Sequence, residues 1–414
     1  MKKVRTILAI LLTLTMATAL FAGCNASKPS QSAPPSQSAA PSQSAAPPPS
    51  APPAEKFVTI GVFQPASGDN GAGGKQETLG VQFAHYETPT VTIGGEKYTV
   101  KLEIVDNQSS TSVAPSAAQQ LVSKGSSLIL GSYGSAVCIA ASDVFKDAGL
   151  AAIGITCTNP AVTLGNDHYF RICFLDPFQG TVLASFAKDK FSAKKAYVLA
   201  KLGDDYSVGL SNYFMDAFGK GNCVYETFPE GTTDYSTYII NAKASGADVF
   251  FSPVSTEAAA LIIDQAQTQN LGMPILAGDT WDSNVILNAA KGTNVNVYIT
   301  TFYQEGGAPK FDSGVKAWIN SNPEAKTNNG GDDKIAAVTA MGYDAYYLAL
   351  EALKKAGSTD PAKIKAVLPD LTYTGVSGPI AFNKDGDADR DTAYIKVCDT
   401  KTGEWVFYAQ QGLK

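Results

Sequence analysis

Between residues 57 and 302 the chain alternates between short β-rich apolar runs and amphipathic segments of a dozen or so residues, and no other feature narrows its possible folds as far. The runs are FVTIGVF (57–63), YTVKLEIVDN (98–107), SLILG (127–131), LAAIGI (150–155), YFRICF (169–174), KAYVLA (195–200), CVYETF (223–228), ADVFFS (247–252), MPILAG (273–278) and VYITTF (297–302). Helical patterns fill most gaps, for example 112–124, 137–147, 178–190, 207–219, 236–244 and 257–270. Strands that alternate with helices predict βαβ units and parallel sheets. The rhythm runs through 57–175 and again through 176–300, which predicts an α/β fold of two similar lobes. Beyond Phe302 the order changes to a long amphipathic helix over about 334–355, a shorter one near 361–367, and strands near GPIAF, TAYIKVCD and WVFYAQ.

The first residues bear on compartment rather than fold. Lys2, Lys3 and Arg5 precede an apolar stretch from Ile7 through Phe21, then Ala22, Gly23 and Cys24. This is the pattern of a secretory signal over 1–23, too short and wrongly flanked for a membrane span. Leu20-Phe21-Ala22-Gly23-Cys24 resembles a bacterial lipoprotein box, with Phe21 where Leu is usual, so Cys24 is expected to carry a lipid. From there to about residue 55 the chain is built of Ser, Pro, Ala and Gln in near-repeats. It cannot bury enough surface to offset its ordering entropy, so it is expected to act as an extended tether at a membrane surface.

About 360 residues remain, too many for one compact core and suited to two lobes. The formal charge is -6 for the whole chain and becomes more negative once the signal is removed, which argues against a nucleic-acid partner. With two histidines, His85 and His168, zinc chemistry and histidine-based catalysis have little to build on. Besides Cys24 there are Cys138, Cys157, Cys173, Cys223 and Cys398, with no CxxC pair; they are expected as buried apolar residues, and a bridge, were one present, among the first three.

In open α/β sheets ligands sit beyond the carboxyl ends of the strands, so the loops there carry the functional signal. QPASGDNGAGGKQ (64–76) is glycine-rich but matches neither dinucleotide nor P-loop spacing, and is expected as a close-packed loop at a cleft edge. In ILGSYGSAV (129–137), Ser135 opens a helix, with Tyr133 before it and Ala136 after it; its hydroxyl and the free N–H groups of the first turn make an anion site. Thr156 and Thr158, in GITCTNP, are placed to close on the same spot. Ser135 has three readings: a ligand donor, a helix cap, or the nucleophile of a secreted serine hydrolase, for which no GxSxG elbow is present. In AGDTWDS (277–283), Asp279 and Asp282 offer carboxylates suited to an ammonium group and Trp281 a flat face, with one Asp expected to cap the next helix. Tyr206 is a candidate wall of the second lobe. NKDGDADRD (383–391) lacks EF-hand spacing and is expected as a solvated turn.

Taken in order, IGVFQPASGDNGAGGKQETLGVQFA, LILGSYGSAVCIAASDVFKDAGLAAIGITCTNP, KLGDDYSVGL, ILAGDTWDS, GYDAYYLALEALKKAG and YTGVSGPIAFNKDGD resemble the leucine/isoleucine/valine-binding branch of the substrate-binding lipoproteins of ABC transporters, with the type I periplasmic-binding-protein fold. The resemblance implies two Rossmann-like lobes joined by three crossovers, with the ligand cleft between them. It assigns 57–175 plus about 303–390 to the first lobe and 176–302 plus about 391–414 to the second. It implies a non-enzymatic, monomeric receptor, with no cofactor or metal, that delivers a small amino acid to a permease outside the cytoplasm. A ligand-sensing receptor domain of the same fold is the other reading it leaves. By position, Ser135 and Thr158 match donors to the ligand's α-carboxylate, Thr156 a backbone acceptor for its α-ammonium, and Tyr206 a cleft tyrosine. Two positions depart from the family: Gly73 stands where branched-chain binders carry a tyrosine, and Thr280 where they carry an acid.

Overall fold

A computed structural model of the protein describes residues 55–412; the expected signal peptide, Cys24 and most of the tether lie outside the described residues. The first sheet contains β1 (Lys56–Gln64), β2 (Thr90–Ile93), β3 (Glu96–Asp106), β4 (Leu128–Leu130), β5 (Ala152–Gly154) and β6 (Tyr169–Arg171) in the order β2-β3-β1-β4-β5-β6. Its five strands β3-β1-β4-β5-β6 are parallel, and β2 runs antiparallel along the edge. The second sheet is built around β7 (Ala196–Lys201), β8 (Cys223–Phe228), β9 (Val249–Phe251), β10 (Ile275–Ala277) and β11 (Val297–Thr301). A hairpin of β12 (Thr372–Gly375) and β13 (Gly378–Ala381) follows, and β14 (Thr392–Asp399) and β15 (Glu404–Gly412) then complete the second sheet as β15-β14-β11-β10-β9-β7-β8.

The two parallel cores share one wiring. Taking each run's strands by sequence, both stand in the order second, first, third, fourth, fifth. The chain passes between the sheets three times, after β6, after β11 and before β14. β4, β5, β9 and β10 are three residues long and wholly buried, because helices cover both faces of a parallel sheet. They are shorter than the apolar runs that announced them, since pairing stops where the chain bends into the loops of the cleft.

The glycine-rich stretch after β1 is not a loop throughout. Helix Gly71–Glu87 begins inside it and lies against the long helix Ala337–Ala356. Their backbones approach through two glycines: a Cβ at Gly80 would stand 1.9 Å from the Thr339 carbonyl oxygen, and one at Gly342 2.1 Å from that of Glu77. The Thr339 hydroxyl donates to the Gln76 carbonyl (3.0 Å) and fixes the register of this pair. The expected 361–367 helix is present as Pro361–Val367; helices Pro309–Ser321 and Pro323–Asn328 and strands β2 and β12 were not anticipated. Both of those helices carry proline in the first turn, where a missing N–H costs nothing.

The 383–391 segment is a fastening rather than a solvated turn. Asp387 is 6% exposed and accepts from Arg171 Nε at 2.7 Å and from the Thr163 hydroxyl at 3.0 Å. Arg171, fully buried, also donates to the carbonyls of Cys157 and Asn159, and so holds the loop after β5 in place. All five cysteines of the described residues are free, and Cys138, Cys157, Cys173 and Cys398 are buried. Among the described residues no helix is long and apolar enough to cross a membrane, and no group of three or more His, Cys, Asp or Glu could hold a metal ion.

Candidate functional site

Strand order reverses between β1 and β4 in one sheet and between β7 and β9 in the other, which is where open α/β sheets place their ligands. The loops that leave these strands, together with those after β5 and β10, meet on one cavity of about 30 Å³. The loops after β4 and β5 bring Tyr133, Ser135, Ala136 and Thr156 to it, and the second lobe brings Tyr206 and Thr280. Thr158, Asp279, Trp281 and Asp282 do not reach its surface.

Ser135 is the first residue of helix Ser135–Asp147, 1% exposed, and does not cap it. The capping position is Gly134, at φ 93°, whose backbone turns the chain so that the helix opens toward the cavity. The Ser135 hydroxyl instead accepts the N–H of Asn159 (3.1 Å), which ties the loops after β4 and β5 together. It has no histidine beside it. His85 Nε2 contacts the Val100 carbonyl (3.0 Å), and His168 Nδ1 contacts the carboxylate of Asp167 (2.9 Å).

Tyr133 explains the glycine at 73. A Cβ at Gly73 would stand 2.4 Å from Tyr133 Cζ, so the Tyr133 ring fills the space that a side chain at 73 would take. Its hydroxyl donates across the cleft to the Thr280 carbonyl (3.0 Å), and its N–H donates to Gln64 Oε1 (2.8 Å).

Beneath each wall lies a buried carboxyl. Under the first, Glu77 accepts from Gln64 Nε2 (2.5 Å) and from the Thr156 hydroxyl. Burial pushes its pKa up to about 8 against the pull of those two donors. Under the second, Asp279 Oδ1 accepts from Gln179 Nε2 (2.7 Å) and from the Tyr206 hydroxyl (3.0 Å). Burial raises it to about 7, opposed by the Tyr206 bond. Glu77 escaped sequence reasoning because the helix that carries it begins among glycines.

The remaining expectations at 277–283 are corrected. Trp281 is fully buried in the core of the second lobe, where its ring replaces solvent rather than facing the cleft. Asp282 is a structural acid: its Oδ2 accepts from Lys396 Nζ (2.9 Å) and from the Thr301 hydroxyl (2.6 Å), and Lys396 is itself 2% exposed. Neither Asp caps the next helix; the Ser283 hydroxyl does so, accepting the N–H of Val285 (3.3 Å). Thr158 is fully buried one layer behind the cavity, and its carbonyl accepts the N–H of Asp176 (3.0 Å).

At the mouth, Lys201 Nζ at the end of β7 pairs with Asp69 (2.6 Å), both partly exposed, and the Asp69 carbonyl accepts the N–H of Glu257 (3.4 Å). Gln76 Nε2 donates to Asn284 Oδ1 (3.0 Å), a further link between elements of the two lobes.

A family model described as periplasmic binding protein matches residues 58–402, nearly all of the folded chain. The chain belongs to the periplasmic binding protein family. Within it, the chain is 30% identical over 337 residues to Leu/Ile/Val-binding protein homolog 1 of Brucella melitensis, covering 80% of this chain and 87% of that one. It is 29% identical over 356 residues to an amino acid binding protein of Pseudomonas aeruginosa, covering 84% and 90%. The structure superposes on that of the leucine-binding protein LivK of Thermotoga maritima with a TM-score of 0.76 at 30% identity, over 86% of this chain and 99% of that one. A structure of 25% identity, a Desulfitobacterium hafniense protein described as an ABC transporter substrate-binding protein in complex with Leu, superposes with a TM-score of 0.64 over 85% of this chain and 100% of that one. At the level of the family such proteins bind ligands rather than catalyse.

Proposed function

We propose that this protein is the extracytoplasmic, lipid-anchored binding component of an ABC importer that closes on a small amino acid and presents it to a membrane permease. One observation supports this above the rest: the Ser135 hydroxyl at a helix start on one wall faces a Tyr206–Asp279 pair on the other, across a cavity at both switch points. In this proposal Ser135 and the N–H groups of its helix start take the α-carboxylate, with Thr158 supporting from behind. The α-ammonium lies toward Tyr206 and Asp279, with the loop of Thr156 below it. A ligand that spans the walls binds the closed arrangement better than the open one, and that difference is the signal a permease can use. Lipid on Cys24 and the following tether would keep the lobes at the membrane. The relatives' names point to leucine, isoleucine or valine as the starting panel.

The reading of Ser135 as a hydrolase nucleophile loses ground on the positions of both histidines. Calorimetry of the purified protein against the twenty common amino acids tests the proposal. It expects at least one ligand binding tighter than about 10 μM, and Ser135→Ala weakening that ligand about 10- to 100-fold, the range for a hydrogen bond to a charged group. Unchanged affinity in Ser135→Ala would overturn the assigned clamp, and labelling of Ser135 by a fluorophosphonate would favour the hydrolase.

A further inference from the structure

Two of the polar atoms that line the cavity lack a partner. Asn70, in the loop after β1, and Ser255, in the loop after β9, both line it, and Asn70 Oδ1 and Ser255 Oγ are buried with no hydrogen bond. The loops of Asn70 and Ser255 are brought together by the Asp69–Glu257 backbone bond, so the two atoms come from opposite lobes at the same mouth. The charged groups beside them are already engaged: Lys201 pairs with Asp69, and Asp204 accepts the N–H of Ser207 (2.7 Å). Depth for a branched side chain is limited over Gly73, where the Tyr133 ring occupies the space and is tied to Thr280.

We infer that the ligand is an amino acid with a short, uncharged, hydrogen-bonding side chain, a hydroxyl or a carboxamide, rather than a branched aliphatic one. This rests on the proposal that the cavity takes an amino acid zwitterion. A carboxamide can donate to Asn70 Oδ1 while its oxygen accepts from the Ser255 hydroxyl; a hydroxyl can satisfy both in turn. The Asn70 amide can turn over and still requires a polar partner. An aliphatic side chain would close the lobes over both atoms and leave them unsatisfied, the situation in which binding sites discriminate most strongly.

The test is calorimetry against the twenty common amino acids, comparing serine, threonine, asparagine and glutamine with leucine, isoleucine and valine, using purified protein freed of co-purified ligand by dialysis. At least one of the first four should bind roughly tenfold or more tighter than any of the last three. In Asn70→Ala/Ser255→Ala that ratio should fall to within about threefold; neither side chain caps a helix, so folding is expected to survive. Aliphatic ligands binding as well as polar ones overturns the inferred class and leaves the amino acid proposal standing. So does tightest binding of a charged amino acid, or an unchanged ratio in the double variant. Binding of no amino acid at all overturns both.

Discussion

Glu77 and Asp279 are the same kind of group in the same kind of place, each a buried carboxyl under one wall of the cleft, yet the proposed function gives them different work. Glu77 is sealed within its own lobe, its two oxygens taken by Gln64 and Thr156. Asp279 is bonded by Tyr206, which itself lines the cavity. Burial raises both pKa values into the neutral range, to about 8 and about 7. A raised pKa therefore does not distinguish a packing group from a binding group, and neither does a neighbour at the cleft, since Thr156 and Tyr206 both line the cavity; what separates the two carboxyls is the proposed placing of the ligand's ammonium beside Tyr206.

The largest expected effect concerns Glu77 and stability. Its folded-state pKa of about 8 lies above the ordinary 4.5, so between those values the folded protein holds a proton that the unfolded chain has released. Stability is then highest below about pH 4.5, falls as pH rises through the window, and levels off above about 8. Over three pH units the Glu77 contribution is on the order of 4 kcal/mol. In Glu77→Gln the amide oxygen can still accept from Gln64 and its NH₂ can donate to the Thr156 hydroxyl, so the fold is kept and this part of the slope disappears. Urea unfolding at pH 5, 6, 7 and 8 measures it, and equal slopes in the two proteins would show that Glu77 does not carry the proton.

Asp279 should respond in affinity instead. Asp279→Asn is expected to weaken the preferred amino acid by about 1.5–3 kcal/mol at pH 8, while Glu77→Gln stays within about 0.7 kcal/mol. Asp279 faces the cavity only through Tyr206, so in this proposal its charge draws the ammonium toward the tyrosine oxygen; wild-type affinity should then fall as pH drops below about 7, and Asp279→Asn should lose that dependence. Calorimetry at pH 6 and pH 8 measures both effects. A similar loss in the two variants would erase the contrast between the walls.

Much of this site was legible in the sequence because loops after strands must carry it, and the glycine and hydroxyl residues of 129–137 and 154–160 announced the first wall. What failed had physical reasons. Gly71, Gly73 and Gly74 disguise the start of a helix, yet they serve close packing: a Cβ at Gly74 would stand 2.1 Å from the Pro65 carbonyl oxygen. Asp282 looked like a ligand group because its partner, Lys396, is more than a hundred residues away and only the fold brings them together. Trp281 looked like a binding face because an aromatic beside two acids carries no mark of which way it turns. Asp387 looked solvated for the same reason as Asp282, its partner Arg171 lying on a strand far back in the chain.

The smallest effect is the one that joins the comparison together. Tyr206→Phe removes one neutral donor to Asp279 and should cost about 1 kcal/mol of affinity, while the ring continues to wall the cavity. Removing that donor also removes the bond that lowers Asp279, so its pKa should climb above about 7 and the acid side of the binding profile should move to higher pH. A double-mutant cycle decides whether Tyr206 acts through the carboxylate or alone. If it acts through Asp279, Tyr206→Phe/Asp279→Asn loses about as much as Asp279→Asn by itself, and the coupling is close to the whole effect of the tyrosine hydroxyl. If the two losses add, the hydroxyl and the carboxylate act on the ligand independently; a loss in Tyr206→Phe with none in Asp279→Asn would instead leave Asp279 as sealed from the cleft as Glu77.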